Sequence, residues 1–518
     1  MLRKAISIKD YGKLEVPSQR SDLQSSTAQH RRINSAYYAA ILIPLIVWCA
    51  PVFGRAPANR ISLTLLPESQ TIRISGELAV PSTRWFFRDN YAGLTGLSAR
   101  IHNLALTDAT GGIVKLTTTA VGEFRSEIPA TKFAYDVDAT PPAIPENAVF
   151  ASWLYDRTGL LLLGDLLPLS ARANETNSPG LELSVTLPAG WSVVSSEENW
   201  SPGQYHVIDV VDAVFAVGSG LREGSTHSEG INTRVGISGA WSFADNDLFA
   251  LVTNILSEHA KTLDPAVVGH AAVILLPFPV AQPPQRWSSE TRGHSVVLLS
   301  GRQSSRAAGL AQLGVSLTHE LMHLWIPNAL KLAGNYDWFY EGFTLYQALR
   351  TGMELGIFNF QDYLNAMAKA FDAYQAEAGR DVSALVSLGE KRWQGSDKLL
   401  YNKGMLVAFL YDLNLRVASG GKQSLDSAYR FLLRGVAGKS GLDGNVVAIQ
   451  ALSASTLMRE FVNRYVQSPV AIDLESAIAP FGLSAARGPV RTRISVSDKL
   501  DGRQKALLKK LGYTTVVR

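Results

Sequence analysis

The sequence lacks most of the features that would set it apart from ordinary globular proteins. Cysteine occurs once among 518 residues, at Cys49, so no disulfide can form within the chain. Charged residues make up only 18% of the chain and hydrophobic ones 46%, which excludes a disordered, charge-rich chain. Internal repeats and low-complexity tracts are also absent. This length and composition predict about three folded domains or fewer, stabilised by a hydrophobic core.

A large excess of one charge sign is missing too, since 49 Lys and Arg face 45 Asp and Glu, for a net charge of +4. Residues 1–32 hold seven bases and three acids, and residues 487–518 hold nine bases and two acids. The part between them is therefore net negative and repels phosphate backbones, which excludes nucleic acid as a partner. The basic residues 503–510 predict a solvated terminal helix, with contact to anionic lipid or an acidic protein as the alternative.

One long apolar run, residues 36–54, follows Arg31 and Arg32. Its length approaches the roughly 20 residues that span a bilayer, but Pro44 and Pro51 break it and leave an apolar centre, residues 39–49, closer to that of a signal peptide. Residues 1–58 are thus predicted to be a basic region with a signal peptide or a membrane anchor. Either one exports the rest of the chain to the periplasmic or extracellular side. A buried core helix is the alternative.

Two periodicities divide the remaining chain. From about Ile61 to Gly218, apolar and polar residues alternate as in half-buried strands, and turn-rich breaks between them favour a sandwich. From about Phe243 the period is helical, with two short apolar runs that are typical of strands. The predicted helices are Asp245–Leu263, Arg306–Leu330, Gln361–Ala378, Lys403–Val417 and Ser453–Val466. We therefore predict an α+β protein with a β-sandwich-like domain over 59–225, a mostly helical domain over 226–486 and a basic tail over 487–518.

The helix predicted over Arg306–Leu330 contains the segment His319-Glu320-Leu321-Met322-His323. Residues four apart share a helix face, so both imidazoles can reach one metal ion, with Glu320 beside its open coordination position. The surrounding residues are apolar, and buried histidines and a buried glutamate need partners. Zinc, one ion per chain, is the simplest partner, although cobalt or manganese would fit in vitro. Two surface histidines on a helix are the alternative.

A catalytic zinc ion needs a third protein ligand. Glu341 follows His323 by eighteen positions, within the aromatic segment Trp338–Thr344. A carboxylate among aromatic residues is costly unless it binds a charge, so Glu341 is predicted to be the third ligand, at the start of the next helix. A helix-capping glutamate is the alternative. Asp337 or another acid is expected to orient a zinc-bound imidazole.

These motifs resemble the gluzincin metallopeptidases, in which HExxH and the glutamate of an E-G-F-[AT] segment bind zinc. The segment Tyr401-Asn402-Lys403-Gly404 is similar to a later Tyr-x-Lys-Gly motif of the same proteins. The resemblance implies a thermolysin-like catalytic domain in which Glu320 activates a zinc-bound water and Tyr401 stabilises the oxyanion. Without the resemblance, Tyr401 would be one core tyrosine among 17.

Within the gluzincins, most of residues 61–483 resemble the glycyl aminopeptidase family. The family's C-terminal PDZ domain has no counterpart in residues 487–518, which are too few for a domain. The Gly-rich strand that holds a glutamate for the substrate's free amine is altered in residues 288–295. Glu290 is the candidate substitute there for binding the substrate.

The sequence thus predicts a zinc-dependent, aminopeptidase-like enzyme that hydrolyses peptide or protein substrates outside the cytoplasm, with membrane association through its N-terminal segment. Two alternatives share the scaffold: an endopeptidase of the same clan, and a protein that binds peptides without hydrolysing them. A structural component of an export machinery is a third.

Overall fold

The protein is described here by a computed structural model that covers residues 59–168, 180–263, 268–394, 397–436, 439 and 441–514. The predicted signal peptide or anchor lies outside these residues. Among the described ranges, none of the helices has both the length and the apolarity needed to span a bilayer.

The strands of the described part are β1 Asn59–Leu66, β2 Thr71–Phe86, β3 Asn90–Tyr91, β4 Leu94–Thr95, β5 Ile101–Thr107, β6 Ile113–Val114, β7 Leu116–Ala120, β8 Glu123–Asp138, β9 Trp153–Tyr155, β10 Thr158–Leu162, β11 Leu181–Thr186, β12 Ser192–Ser195, β13 Glu198–Ser201, β14 Gln204–Val207, β15 Val214–Gly218, β16 Arg222–Ser228, β17 Ile231–Ile237, β18 His270–Pro277, β19 Trp287–Arg292, β20 Ser295–Ser300, β21 Leu483–Arg487 and β22 Thr492–Val496. The helices are α1 Leu163–Leu166, α2 Asp245–Thr262, α3 Arg306–Glu320, α4 Thr344–Glu354, α5 Phe360–Ala376, α6 Asp397–Ala418, α7 Leu425–Val436, α8 Gly444–Leu452, α9 Thr456–Tyr465, α10 Leu474–Ile478 and α11 Gly502–Lys510.

The N-terminal part is a two-sheet sandwich. One sheet has nine strands in the order β13-β14-β11-β1-β2-β8-β5-β6, with β7 paired to β8, and the other has the order β12-β15-β10-β9. Inward residues of the two sheets, such as Leu63 and Leu183 opposite Leu161 and Phe215, share one buried core. The alternation seen in the sequence is thus the period-two pattern of strands with one buried face.

A third sheet, β16-β17-β18-β20-β19, lies between the sandwich and the helices. Successive residues of β18 point to opposite faces: Val273 and Leu275 pack in the helical core, whereas Ile274 and Leu276 pack against residues of β10 and β15. Both faces of β18 are therefore buried, which explains why its sequence is an unbroken apolar run. This architecture confirms the predicted α+β class with a β-sandwich-like N-terminal part.

Three helix predictions need correction. The helix predicted over Arg306–Leu330 ends at Glu320 and continues as a 3₁₀ turn, Leu321–Leu324, because Pro327 lacks a backbone donor and disfavours helix before it. Helix α6 begins at Asp397, six residues before the predicted start. The helix predicted over Ser453–Val466 begins later, at Thr456, because Ser455 caps the start of α9. A separate helix, α8, ends just before it at Leu452. The helix expected to start at Glu341 is α4, which begins at Thr344 after a π-helical turn, whereas α1, α7, α8 and α10 were not predicted.

The basic C-terminal residues pack onto the helical part. The hairpin of β21 and β22 is followed by α11, whose Leu507 and Leu508 are buried. Lys510 donates to the carbonyl of Gly421 at 3.1 Å. One face of α11 is therefore buried and the other carries the bases.

The domain boundary predicted between residues 225 and 226 lies within strand β16. The predicted domain boundaries stay predictions.

Candidate zinc centre and active site

The end of α3 and the irregular segments after it bring three potential ligands together. His319 lies in the last turn of α3, His323 in the 3₁₀ turn, and Glu341 in a π-helical turn, Trp338–Phe343, that leads into α4. The Nε2 atoms of the two imidazoles are 3.1 Å apart. The Oε2 atom of Glu341 lies 3.4 Å from Nε2 of His319 and 3.5 Å from Nε2 of His323.

These distances fit a zinc ion. Zinc bonds of about 2.0–2.1 Å in a tetrahedron separate neighbouring ligand atoms by about 3.3 Å. All three residues have 9% or less of their surface exposed, and they form the one group of His, Cys, Asp and Glu within the described ranges that could hold a metal ion. His323 is also oriented as a ligand should be, because its Nδ1 atom lies 2.8 Å from the carbonyl oxygen of Ile326.

The electrostatics of the site also call for a bound cation. Burial alone would raise the pKa of Glu341, but the Arg392 guanidinium and the His323 imidazole outweigh burial and hold this pKa well below its usual range. Burial lowers the pKa of His323, whereas the Glu341 carboxylate raises it, with a result of about 9. The carboxylate thus favours positive charge beside it, and a zinc ion would supply that charge with both imidazoles neutral.

Glu320 is held by the edge strand β19. Its Oε1 atom accepts a hydrogen bond from the hydroxyl of Ser289 and its Oε2 atom from the hydroxyl of Thr291, both at 2.6 Å. Side chains two apart share one face of a strand, so β19 presents both hydroxyls to the zinc helix. The carboxylate is therefore fixed at both oxygens rather than free to rotate.

Close packing of two glycines brings Tyr401 to the site. A methyl group at Gly342 would come within 2.5 Å of the Cα atom of Gly404, so the π-helical turn and α6 approach each other backbone to backbone. Glu341 directly precedes Gly342 on one side of this contact, and Tyr401 lies three residues before Gly404 in α6 on the other side. The phenol of Tyr401 is partly buried. Burial raises its pKa well above the usual value, and the Glu341 carboxylate adds to the rise.

Arg392 is a part of the site that the sequence analysis did not identify. It lies in a 3₁₀ segment, Gly389–Gln394, and its side chain is 11% exposed. Its guanidinium contacts the Glu341 carboxylate, the Tyr401 hydroxyl and Asp337. Asp337 therefore binds Arg392, and also the hydroxyl of Tyr340 at 2.7 Å, instead of orienting an imidazole as expected. No sequence pattern around residue 392 indicates this position.

Glu290 lies on the other face of β19 from Ser289 and Thr291. Its Oε1 atom accepts a hydrogen bond from the hydroxyl of Tyr91, which belongs to the separate β3–β4 hairpin of the N-terminal part. Arg292 lies with its Nε atom 3.8 Å from the same oxygen and its guanidinium 3.8 Å from the centre of the Tyr91 ring. The carboxylate already has two partners, and its role in binding a substrate amine stays a prediction.

A comparison with known protein families agrees with this site. Residues 313–407 match the model of a protein family described as M61 glycyl aminopeptidase. This segment contains both histidines, Glu341 and Tyr401. No curated protein matches the chain. The family match and the ligand cluster confirm the expected class: the chain contains a gluzincin-like zinc metallopeptidase.

Solved structures show the same fold. An aminopeptidase N family protein from Idiomarina loihiensis is similar over 83% of this chain and 79% of its own, with a TM-score of 0.69 and 17% identity. An M1 zinc metallopeptidase from Deinococcus radiodurans is similar over 81% of this chain and 95% of its own, with a TM-score of 0.52 and 14% identity. A mutant of that enzyme bound to a Tyr-Ser-Ala substrate has a TM-score of 0.53 and 13% identity.

Proposed function

We propose that this protein hydrolyses peptide bonds with Glu320 as the general base and general acid and Tyr401 as the oxyanion donor. The observation that supports this most directly is the arrangement around Glu341. Its carboxylate faces the imidazoles of His319 and His323, and the Tyr401 phenol lies beside it. This arrangement supports a hydrolytic role for the site.

The proton path runs through Glu320. A zinc ion held by His319, His323 and Glu341 would supply a Lewis acid and a water molecule of lowered pKa. Glu320 takes the proton from the attacking water and returns it to the leaving amine. Ser289 and Thr291 keep the carboxylate in one orientation for both transfers. Tyr401 donates its hydrogen to the negative charge that develops on the scissile carbonyl oxygen.

The substrate is a peptide, and we propose that its free amino end enters the site. The Deinococcus metallopeptidase mutant, whose fold is similar, binds the tripeptide Tyr-Ser-Ala. In this chain, Glu290 would receive a substrate amine only by exchanging it for the Tyr91 hydroxyl or the Arg292 guanidinium. Cleavage inside peptides remains the alternative if Glu290 keeps these partners.

Export to the periplasmic or extracellular side is a further part of the proposal. It is supported by the basic, apolar residues 1–58 and by the lack of cysteine from residue 59 onward, which lets the chain fold in an oxidising compartment without mispairing. Sequencing the N-terminus of the protein from its native cells tests this part, because a cleaved signal peptide gives a new N-terminus near residue 59.

The test of hydrolysis compares the wild-type chain with Glu320→Gln on a mixed peptide pool read by mass spectrometry, with and without acetylated N-termini. We expect the wild type to trim free N-termini one residue at a time and to spare the acetylated peptides. Glu320→Gln should lose activity and keep one zinc per chain. Glu475→Gln, a substitution of an exposed glutamate on α10, is the matched control and should cut like the wild type.

Two outcomes would change the proposal. Cuts inside acetylated peptides would make the protein an endopeptidase. A wild type that holds zinc and cuts no peptide would favour peptide binding without hydrolysis. Tyr401→Phe separates the role of the phenol: loss of one oxyanion donor costs about a hundredfold or more in turnover, with zinc content unchanged. Full activity of that variant would remove Tyr401 from the mechanism.

A further inference from the structure

Arg392 lies where three acidic or phenolic groups of the site converge. Its Nη2 atom is 2.8 Å from Oε1 of Glu341 and 2.6 Å from the hydroxyl oxygen of Tyr401. Its Nη1 atom is 3.1 Å from Oδ2 of Asp337. Nη2 thus contacts both the Glu341 carboxylate and the Tyr401 phenol, whereas Nη1 contacts Asp337, whose side chain is only 7% exposed.

The two oxygens of Glu341 are divided between two partners. Oε2 faces both imidazoles, and Oε1 contacts the guanidinium. A carboxylate can bind a metal ion through one oxygen or through both. Because Arg392 occupies Oε1, only Oε2 is presented to the imidazoles. A single-oxygen ligand leaves more of the coordination sphere open for water and substrate, which a catalytic zinc site requires.

The direction of the hydrogen bond to Tyr401 also matters. A guanidinium has donors and no acceptor, so the phenol oxygen accepts the bond from Arg392. The single phenolic proton is then left for another acceptor, which is the Glu341 carboxylate in this structure and the scissile carbonyl oxygen in the proposed reaction. A positive charge next to the phenol oxygen also strengthens the phenol as a donor.

We propose that Arg392 is a positioning residue of the hydrolytic site, which holds Glu341 as a one-oxygen ligand and turns the Tyr401 proton toward the substrate. Asp337 fixes the guanidinium in this position. The inference rests on the proposed hydrolysis for its effect on Tyr401, whereas its effect on Glu341 concerns the metal site alone and is measured separately.

A double-mutant cycle tests the link to Tyr401. Arg392→Met removes the charge and all donors, and we expect turnover to fall about a hundredfold, as for loss of an oxyanion donor, with KM nearly unchanged. In a Tyr401→Phe background, Arg392→Met should cost less than about a threefold further loss, because the two residues act together. Losses that multiply in the double variant would refute the positioning role.

The metal site provides a readout that needs no activity. In cobalt-substituted protein, the visible absorption bands report the number and arrangement of ligands. We expect Arg392→Met to bind one cobalt per chain with a changed spectrum, because Oε1 of Glu341 has lost its partner. An unchanged spectrum would overturn the role of Arg392 toward Glu341. If the wild type cuts no peptide, the proposed hydrolysis fails and the cobalt comparison still decides this part.

Two further variants separate positioning from folding. Arg392→Lys keeps the positive charge, so this variant should fold even if Arg392→Met does not. It offers a point charge in place of the planar guanidinium, so it should still lose turnover and show a changed cobalt spectrum. Arg350→Met removes another buried guanidinium, paired with Glu354 at 3.2 Å on α4. This control should retain the wild-type spectrum and KM. Wild-type turnover and spectrum in Arg392→Lys would overturn the proposal.

Discussion

The contact between Gly342 and Gly404 leads to a prediction that links packing to catalysis. A Cβ atom added at Gly342 would lie 2.5 Å from the Cα atom and 2.8 Å from the carbonyl carbon of Gly404. Both atoms belong to the backbone, so no side chain can rotate away. Gly342→Ala therefore forces the π-helical turn and α6 apart.

The size of the displacement follows from the distances. Ordinary contacts of a Cβ atom begin near 3.4 Å, so the two backbones must separate by about 1 Å to accept the methyl group. Overpacking of this kind costs about 1–3 kcal/mol of folding free energy. The separation also moves Tyr401 away from Glu341, and a misplacement of about 1 Å can lower turnover by about a hundredfold.

We expect Gly342→Ala to lower the thermal midpoint and to reduce turnover about a hundredfold, with zinc still bound. Gly435→Ala on α7 is the matched control, because no atom lies within 4 Å of its added Cβ. An alanine there should leave turnover unchanged and stabilise the helix by up to about 1 kcal/mol. Wild-type turnover and thermal midpoint in Gly342→Ala would refute the argument that this contact sets the distance between Tyr401 and the zinc ligands.

Two further predictions concern groups around the zinc helix. Burial lowers the pKa of His259 to about 4, and its Nε2–H donates to the carbonyl of Thr318 at 2.9 Å. A folded-state pKa below the unfolded value of about 6.5 gives stability that is full above pH 6.5 and lost as the pH falls toward 4. The difference in unfolding free energy between wild type and His259→Gln should therefore shrink by about 3 kcal/mol from pH 7 to pH 4 in denaturant titrations, and a constant difference would contradict it. The double substitution Ser289→Ala with Thr291→Val frees both oxygens of Glu320 and should lower turnover about tenfold or more in steady-state assays. Retained turnover would show that Glu320 is oriented by other contacts.

The sequence was sufficient to predict the parts of the site that follow local rules. His319 and His323 lie four residues apart, and a helical repeat alone places their side chains on one face even though the last turn is 3₁₀. The fold class was equally accessible, because strand alternation and buried apolar runs are local patterns. The boundary of α3 was wrong because the effect of Pro327 extends several residues back.

Other contacts depend on long-range packing and left no local signal. Arg392 lies 51 positions after Glu341 in the sequence, and only the tertiary fold makes them neighbours, with Nη2 of Arg392 2.8 Å from Oε1 of Glu341. The two hydroxyls on β19 show a period of two, but this pattern alone does not say which face meets Glu320. Asp337 or another acid was expected beside an imidazole, and in the fold Asp337 binds Arg392.

The site therefore depends on partners from three different parts of the fold. The edge strand β19 holds Glu320, the 3₁₀ segment Gly389–Gln394 holds Glu341 and Tyr401, and a carbonyl after the zinc helix holds His323. Strand β19 in turn contacts the β3–β4 hairpin through Glu290 and Tyr91. Glu290 alternates on this strand with Ser289 and Thr291, so neighbouring residues of one backbone segment make the contacts with Tyr91 and with Glu320. Through this contact, the β3–β4 hairpin of the N-terminal part is part of the support of the site.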